Sequence, residues 1–134
     1  MPVYMVQASY APQSVASMVK TPQDRAAAIK PMIESMGGKL QDLWFCFGEY
    51  DIVAIAEMPD NLTAAAMSMA IGSSGAMTSY RTTPLMTSAD AKKAMEKAGG
   101  VGYTAPNRWL ATLESAEGKS LNELLNRKAS PTGT

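Results

Sequence analysis

Acid–base chemistry in this chain would have to come from a short set of residues: Glu57, Asp51, Tyr50 and Arg81. Glu57 or Asp51 could serve as the base, with Arg81 or Tyr50 stabilising developing charge. Each has a plainer use. A Glu57–Arg81 pair half-buried on a sheet would stabilise a dimer without any reaction. Tyr50 and Asp51 belong to Gly48-Glu49-Tyr50-Asp51, where glycine favours a tight turn and aspartate bonds backbone, so a structural role is preferred there. Cys46 is the only cysteine, and a small buried apolar role is preferred over that of a reactive thiol. The eleven methionines read as adaptable core and interface filler. Their sharper alternative, a thioether copper(I) site, has only Met67-Ser68-Met69 as a close pair. Ser73-Ser74-Gly75 is most simply a turn, and weak as an anion cradle.

Histidine is absent. The commonest general base and the commonest zinc, copper and haem ligand are therefore missing together, which removes Ser-His-Asp and Cys-His arrangements and any His-ligated metal. No metal and no cofactor is expected. The 12 basic and 12 acidic side chains balance, with no basic run, which argues against nucleic acid as a partner. Zero net charge also offers little resistance to self-association. At 134 residues and 46% apolar composition, one domain with a real core is expected. No apolar stretch approaches the length of a membrane span. MPVYMVQASY lacks a basic region followed by an apolar one, and a lone cysteine suits a reducing compartment, so a cytoplasmic protein is expected.

The elements that must position these residues follow from pattern. Val3–Tyr10 reads as a strand ended by Pro12, and Gln13–Lys20 as a short helix. A stronger helix is expected from Thr21, with Thr-Pro-Gln-Asp as its capped start and Ile29, Met32, Ile33 and Met36 as one apolar stripe. Pro31 should kink or split it, and Gly37-Gly38 should end it. Lys39–Phe47 and Ile52–Met58 read as a hairpin. Asp60 or Asn61 caps a helix to about Ile71, Ala76–Leu85 is a fourth strand, and Thr87 or Ser88 caps a helix to Ala98. Beyond it, residues 99–107 are loop-like, Arg108–Leu113 is a strand or helical turn, and Ser120–Glu123 is a capping box opening a helix to about Lys128. ASPTGT looks frayed or partner-bound.

This order is the split β-α-β pattern, βαββαβ, of ferredoxin-like α+β folds. Its four-stranded antiparallel sheet would carry helices on one face and leave the other open for oligomerisation. Alternation places Leu43, Phe45, Phe47, Ile52, Ala54 and Ala56 beneath the helices. Asp42, Trp44, Cys46, Val53, Ile55 and Glu57 fall on the open face.

The run GGKLQDLWFCFGEYDIVAIAEMPD resembles the GYD family of bacterial proteins, through Gly37-Gly38-Lys39-Leu40, Gly48-Glu49-Tyr50-Asp51 and Glu57-Met58-Pro59-Asp60. Tyr10 and Thr21-Pro22-Gln23-Asp24-Arg25 are similar to the family's first strand end and second helix start. The resemblance covers roughly residues 2–95 and implies a ferredoxin-like fold related to dimeric α+β-barrel proteins, with no particular activity. Two features depart from it: the methionines at 67, 69, 77, 86 and 95, and the tail beyond about residue 98. The expected organisation is a GYD-type domain over residues 1–98 and a C-terminal extension over 99–134.

The functional expectation is a homo-oligomer, dimer or larger, that binds a small molecule or docks a protein partner through residues 99–134. Tyr4, Trp44, Cys46 and Tyr50 would line the ligand site. The alternative is a cofactor-independent enzyme of the dimeric α+β-barrel kind, such as a monooxygenase, isomerase or decarboxylase, acting through Glu57, Asp51, Tyr50 and Arg81.

Overall fold

Strands and helices follow one another as β1 (Val3–Tyr10), α1 (Pro12–Lys20), α2 (Arg25–Ser35), β2 (Lys39–Phe45), β3 (Ile52–Glu57), α3 (Asn61–Ser73), β4 (Met77–Leu85) and α4 (Ser88–Ala98). The computed structural model describes residues 1–107. The expected elements at Arg108–Leu113 and Ser120–Lys128, and the ASPTGT end, lie outside the described residues. The chain divides into two compact units, the first ending at Ser88. In the second, α4 carries Asp90 in its first turn and Lys97 in its last, charges that complement the helix dipole. Among the described residues no helix is long and apolar enough to cross a membrane.

All strand pairs are antiparallel, in the order β2-β3-β1-β4. This is the ferredoxin-like arrangement, with β1 and β3 in the middle. Tyr4, Val6 and Ala8 pair with Ala56, Ala54 and Ile52 on one side of β1 and with Pro84, Thr82 and Tyr80 on the other. These residues share the helix-covered face. A bulge between Leu40 and Asp42 lets Leu40 and Leu43, an odd number of residues apart, both pair with the alanines of that face.

The main cluster joins Tyr4 and Ala56 from the sheet, and Met58 just beyond β3, to Ile33 of α2 and to Ala64 and Met67 of α3. A second, Ala8, Tyr10 and Ile52, is covered by Met18 of α1. Burial of a side chain the size of Met58 or Met67 contributes roughly 1.5–3 kcal/mol. The expected stripe is present, with Ile33 buried and Ile29, Met32 and Met36 packed against the cluster.

Three expectations need correction. The second helix is capped by Asp24, whose Oδ1 accepts from Ala26 N at 3.0 Å and Ala27 N at 3.3 Å. Thr21 instead closes α1, its N–H donating to Ser17 O at 2.9 Å. Of the kink or split expected at Pro31, the split does not occur, since α2 runs unbroken from Arg25 to Ser35. The bond it cannot make would end on the carbonyl of Ala27; both residues are exposed, so the loss falls where solvent reaches. Phe47 is not in the core: β2 ends at Phe45, and Phe47 is 100% exposed in the connection that follows.

At the end of α2, Gly37 adopts φ +82°, the left-handed conformation glycine takes at no steric cost. Gly38 then passes so close to β3 that an added Cβ would lie 2.5 Å from the Glu57 carbonyl oxygen. Gly72, inside α3, has no such neighbour within 4 Å. Gly38→Ala is expected to destabilise the protein by about 1–3 kcal/mol, and Gly72→Ala to stabilise it by about 0.5–1 kcal/mol, both read as urea midpoints.

Asp60 caps α3 by accepting Thr63 N at 2.7 Å, and its carboxyl is held below the ordinary carboxylate range by bonds from the Thr63 side chain and backbone. A lowered folded-state pKa stabilises above the unfolded value near 4 and loses that contribution as pH falls through the folded value. Asp60→Asn keeps a cap that does not titrate. The stability difference between it and wild type should therefore change only below about pH 4, with wild type losing more. Thermal melts across pH 2–7 check this.

Candidate functional site

The open face of the sheet presents three cross-strand rows: Lys39, Glu57, Val3 and Leu85; Asp42, Ile55, Met5 and Thr83; Trp44, Val53, Gln7 and Arg81. Glu57 and Arg81 are thus on one face but two strands and four residues apart, the latter alone roughly 13 Å. Lys39, not Arg81, stands directly opposite Glu57. Trp44, on edge strand β2, is 67% exposed. Down the middle run Val3, Met5, Val53 and Ile55, all half-buried.

Tyr50 and Asp51 lie in the connection between β2 and β3. The Asp51 carboxylate accepts the backbone N–H of Tyr10 at 2.9 Å, while Asp51 N donates to Ala8 O at 2.9 Å. Cys46 N donates to Asp51 O at 2.9 Å, and the Cys46 thiol donates to Tyr50 O at 3.1 Å. Ser9 Oγ donates to Glu49 O at 2.9 Å. This connection is therefore laced to the end of β1, and Asp51 and Cys46 both spend their side chains on backbone partners. Tyr4 faces the helices, is 3% exposed, and donates its hydroxyl to Asn61 Oδ1. Tyr4 and Trp44 are thus on opposite faces of the sheet. Met67 is buried while Met69 is exposed, as expected two residues apart on a helix, so their sulfurs do not share a site.

Concave space lies on the helix side. Between α2 and α3 runs a groove of about 250 Å³, lined by Ile29, Met32, Ile71 and Met77 with Arg25 and Ser74 at its polar end. The same four apolar residues also line an internal cavity of about 40 Å³ above the sheet, walled by Val6, Ala54, Ala56 and Tyr80 among others. So small a void holds little more than a methyl group or two; the groove holds more. Arg25 and Ala76 are shared in turn with a largely polar pocket of about 290 Å³ under α1, lined also by Tyr10, Gln13, Ser14, Ser17, Met18 and Gln23. A further open depression of about 420 Å³ lies between α3 and β4, at Tyr4, Asn61, Ser68 and Thr82.

Polar chemistry facing this space is sparse. Burial raises the Tyr80 phenol above its ordinary pKa, while the hydroxyls of Thr82 and Ser68 pull the other way. Those hydroxyls bond each other at 2.9 Å, and Ser68 also reaches Ala64 O at 3.1 Å; no protein group pairs with the Tyr80 hydroxyl in hydrogen-bond geometry. A phenol held in its protonated form beside an apolar cavity is a donor suited to a ligand rather than a base. The Tyr10 hydroxyl and Arg25 Nε are likewise buried without a protein partner.

Sequence reasoning did not single out Arg25, Tyr10 or Tyr80. Arg25 was absorbed into a helix-start motif and Tyr10 into a strand end. A signal was there, since an arginine and a tyrosine both fall within motif positions, but nothing local joins them.

The strand order and one-sided helix layer place the molecule among ferredoxin-like α+β proteins. The GYD domain model matches residues 4–95, and the chain belongs to the GYD domain family. No curated protein and no solved structure matches it significantly.

If Asp51 anchors the connection, Asp51→Ala leaves the Tyr10 N–H unpaired and should cost about 1–3 kcal/mol. Asp51→Asn keeps an oxygen acceptor and should cost less. Tyr50→Phe should stay within about 0.5 kcal/mol of wild type. Urea denaturation of the three variants distinguishes this role from one in which all three fold equally well.

Proposed function

We propose that the protein is a non-enzymatic, homo-oligomeric module that binds a small, largely apolar molecule in the groove between α2 and α3. The observation that carries this reading is that one set of apolar side chains, Ile29, Met32, Ile71 and Met77, lines both the groove and the internal cavity. Concave, mainly apolar space with a few polar groups at one end is how small-molecule sites are generally built. Arg25 Nε supplies such a group in the groove, and Tyr80, whose hydroxyl also lacks a partner, lines the cavity. An enzyme reading draws less support, because Glu57, Arg81, Tyr50 and Asp51 are spread over two rows of the open face and one connection.

The occupant of the open face is, on this reading, a second copy of the chain. Val3, Met5, Val53 and Ile55 form an apolar centre with Lys39, Asp42, Gln7 and Arg81 around it, the distribution found where an interface has an apolar core and polar rim. A net charge of zero places no repulsion between copies.

Two measurements on the full chain test the reading. N-phenyl-1-naphthylamine, an uncharged apolar fluorophore, should bind with a blue-shifted emission, and Ile71→Trp, which fills the groove, should weaken it at least tenfold. Native mass spectrometry should show a dimer or larger oligomer that Ile55→Glu converts to folded monomer. No binding of the fluorophore would sink the ligand reading, and a wild-type monomer would sink the oligomeric one.

A further inference from the structure

The polar end of the groove has a composition of its own. Among the described residues, Arg25 is the one cation lining either the groove or the pocket under α1, and no acidic side chain lines either. Two acids of these elements are already committed. Asp24 caps α2 through Ala26 N and Ala27 N, and Asp51 holds the backbone N–H of Tyr10. Arg25 therefore enters this space without a counter-charge, an unusual condition for a half-buried guanidinium.

Its hydrogen bonding is one-sided. Nη1 donates to Gln23 Oε1 at 2.7 Å, while Nε is buried and meets no protein acceptor. Tying Nη1 to a neutral amide orients the guanidinium and leaves its Nε edge, one of the edges that engages carboxylates in a fork, for something else. The Tyr10 side chain is 7% exposed, its ring stacks on Phe45 with centroids 6.1 Å apart, and its hydroxyl is buried without a protein partner. Tyr10 and Arg25 line the same pocket. Two buried donors, one charged, lining a pocket without acids among the described residues describe an anion site, since a buried donor left unpaired is costly.

The site stands on rigid supports. Ala76 O accepts both Ala11 N at 2.8 Å and Ser14 Oγ at 3.0 Å, and Gln13 Nε2 donates to Gly75 O at 3.4 Å. These bonds staple the start of α1 to the approach of β4, so the pocket floor is held from two elements. Arg25 and Ala76 belong to the apolar groove as well as to this pocket. A single ligand can thus place an anion at Arg25 and an apolar body along Ile29, Met32, Ile71 and Met77.

Resting on the groove reading above, we propose that the ligand is an amphipathic carboxylate: one carboxylate bound by Arg25 Nε–H and the Tyr10 hydroxyl, and a compact aliphatic or aromatic body in the groove. One guanidinium matches the single charge of a carboxylate. A phosphate monoester, with up to two charges, would ask for more cations than this lining holds.

Displacement of N-phenyl-1-naphthylamine from the full chain by octanoate, 1-octanol and octyl phosphate tests this, because the three share one body and differ in head group. At pH 7.5 octanoate should displace at least tenfold better than octanol, a difference of about 1.4 kcal/mol, and better than octyl phosphate. Arg25→Gln should bring the octanoate-to-octanol ratio close to one, Arg25→Lys should restore part of it as a point charge, and Tyr10→Phe should lower it about threefold or more. The ratio is an internal control for any general loosening of the groove, and Tyr10→Phe serves if an Arg25 variant does not fold. If the fluorophore binds but octanoate and octanol compete equally, or Arg25→Gln and Tyr10→Phe leave the ratio unchanged, the carboxylate assignment is overturned and the groove stands. Octyl phosphate winning overturns it too. A fluorophore that does not bind removes the groove reading itself and this inference with it.

Discussion

The Asp51 carboxylate takes the backbone N–H of Tyr10 at 2.9 Å, and Asp51 N returns a bond to Ala8 O. Through this pair the connection between β2 and β3 is pinned to the end of β1, the strand that pairs with both β3 and β4. A slip of one residue in β1 would send Tyr4, Ala8 and Tyr10 to the open face and Met5 and Gln7 under the helices. The pin therefore guards the register on which the core depends. It also decides what Tyr10 can do: its backbone is taken, its ring is held by Phe45 and Met18, and only the hydroxyl is left over.

From that constraint the two faces of the sheet acquire different uses. The helix face is closed by Ile33, Ala64 and Met67 around Tyr4, Ala56 and Met58, but small side chains at Ala8, Ala54 and Ala56 leave the cavity beneath Met32 and Ile71. Methionines at 32, 67 and 77 line that void and can shift to admit a guest more easily than branched side chains. The open face has longer residues in its centre, Val3, Met5, Val53 and Ile55. Its chemistry suits contact with another flat surface.

Unpaired polar groups carry the rest of the argument. The described residues leave three buried side-chain polar atoms without protein partners: Tyr80 lines the cavity, Tyr10 the pocket under α1, and Arg25 both that pocket and the groove, spaces that share lining residues. Orphans scattered through a core point to loose packing; orphans gathered around adjoining concave space point to a ligand. The lace of bonds at Cys46, Ser9 and Asp51, by contrast, shows how a motif of chemically able residues is consumed by architecture.

Much of this architecture was legible along the chain. The bounds of β1, the Asp60 cap, the Gly37-Gly38 stop and the alternation that sets Glu57 and Trp44 apart from Ala54 and Ala56 are local effects of φ, hydrogen-bond donors and side-chain period, and the GYD motifs named the family. Local reasoning failed where two good local solutions competed, as when Thr21 and Asp24 could each cap α2 and only the side-chain bonds to Ala26 and Ala27 chose between them. It also failed where distance in sequence hid nearness in space. Tyr10 and Arg25 are 15 residues apart, and they meet at one pocket because α1 folds back and is fastened to Ala76, 51 residues beyond Arg25. Most element bounds and side-chain faces could be read along the chain, because they depend on near neighbours. Which polar groups are left without partners could not, because that depends on every partner the fold brings or withholds.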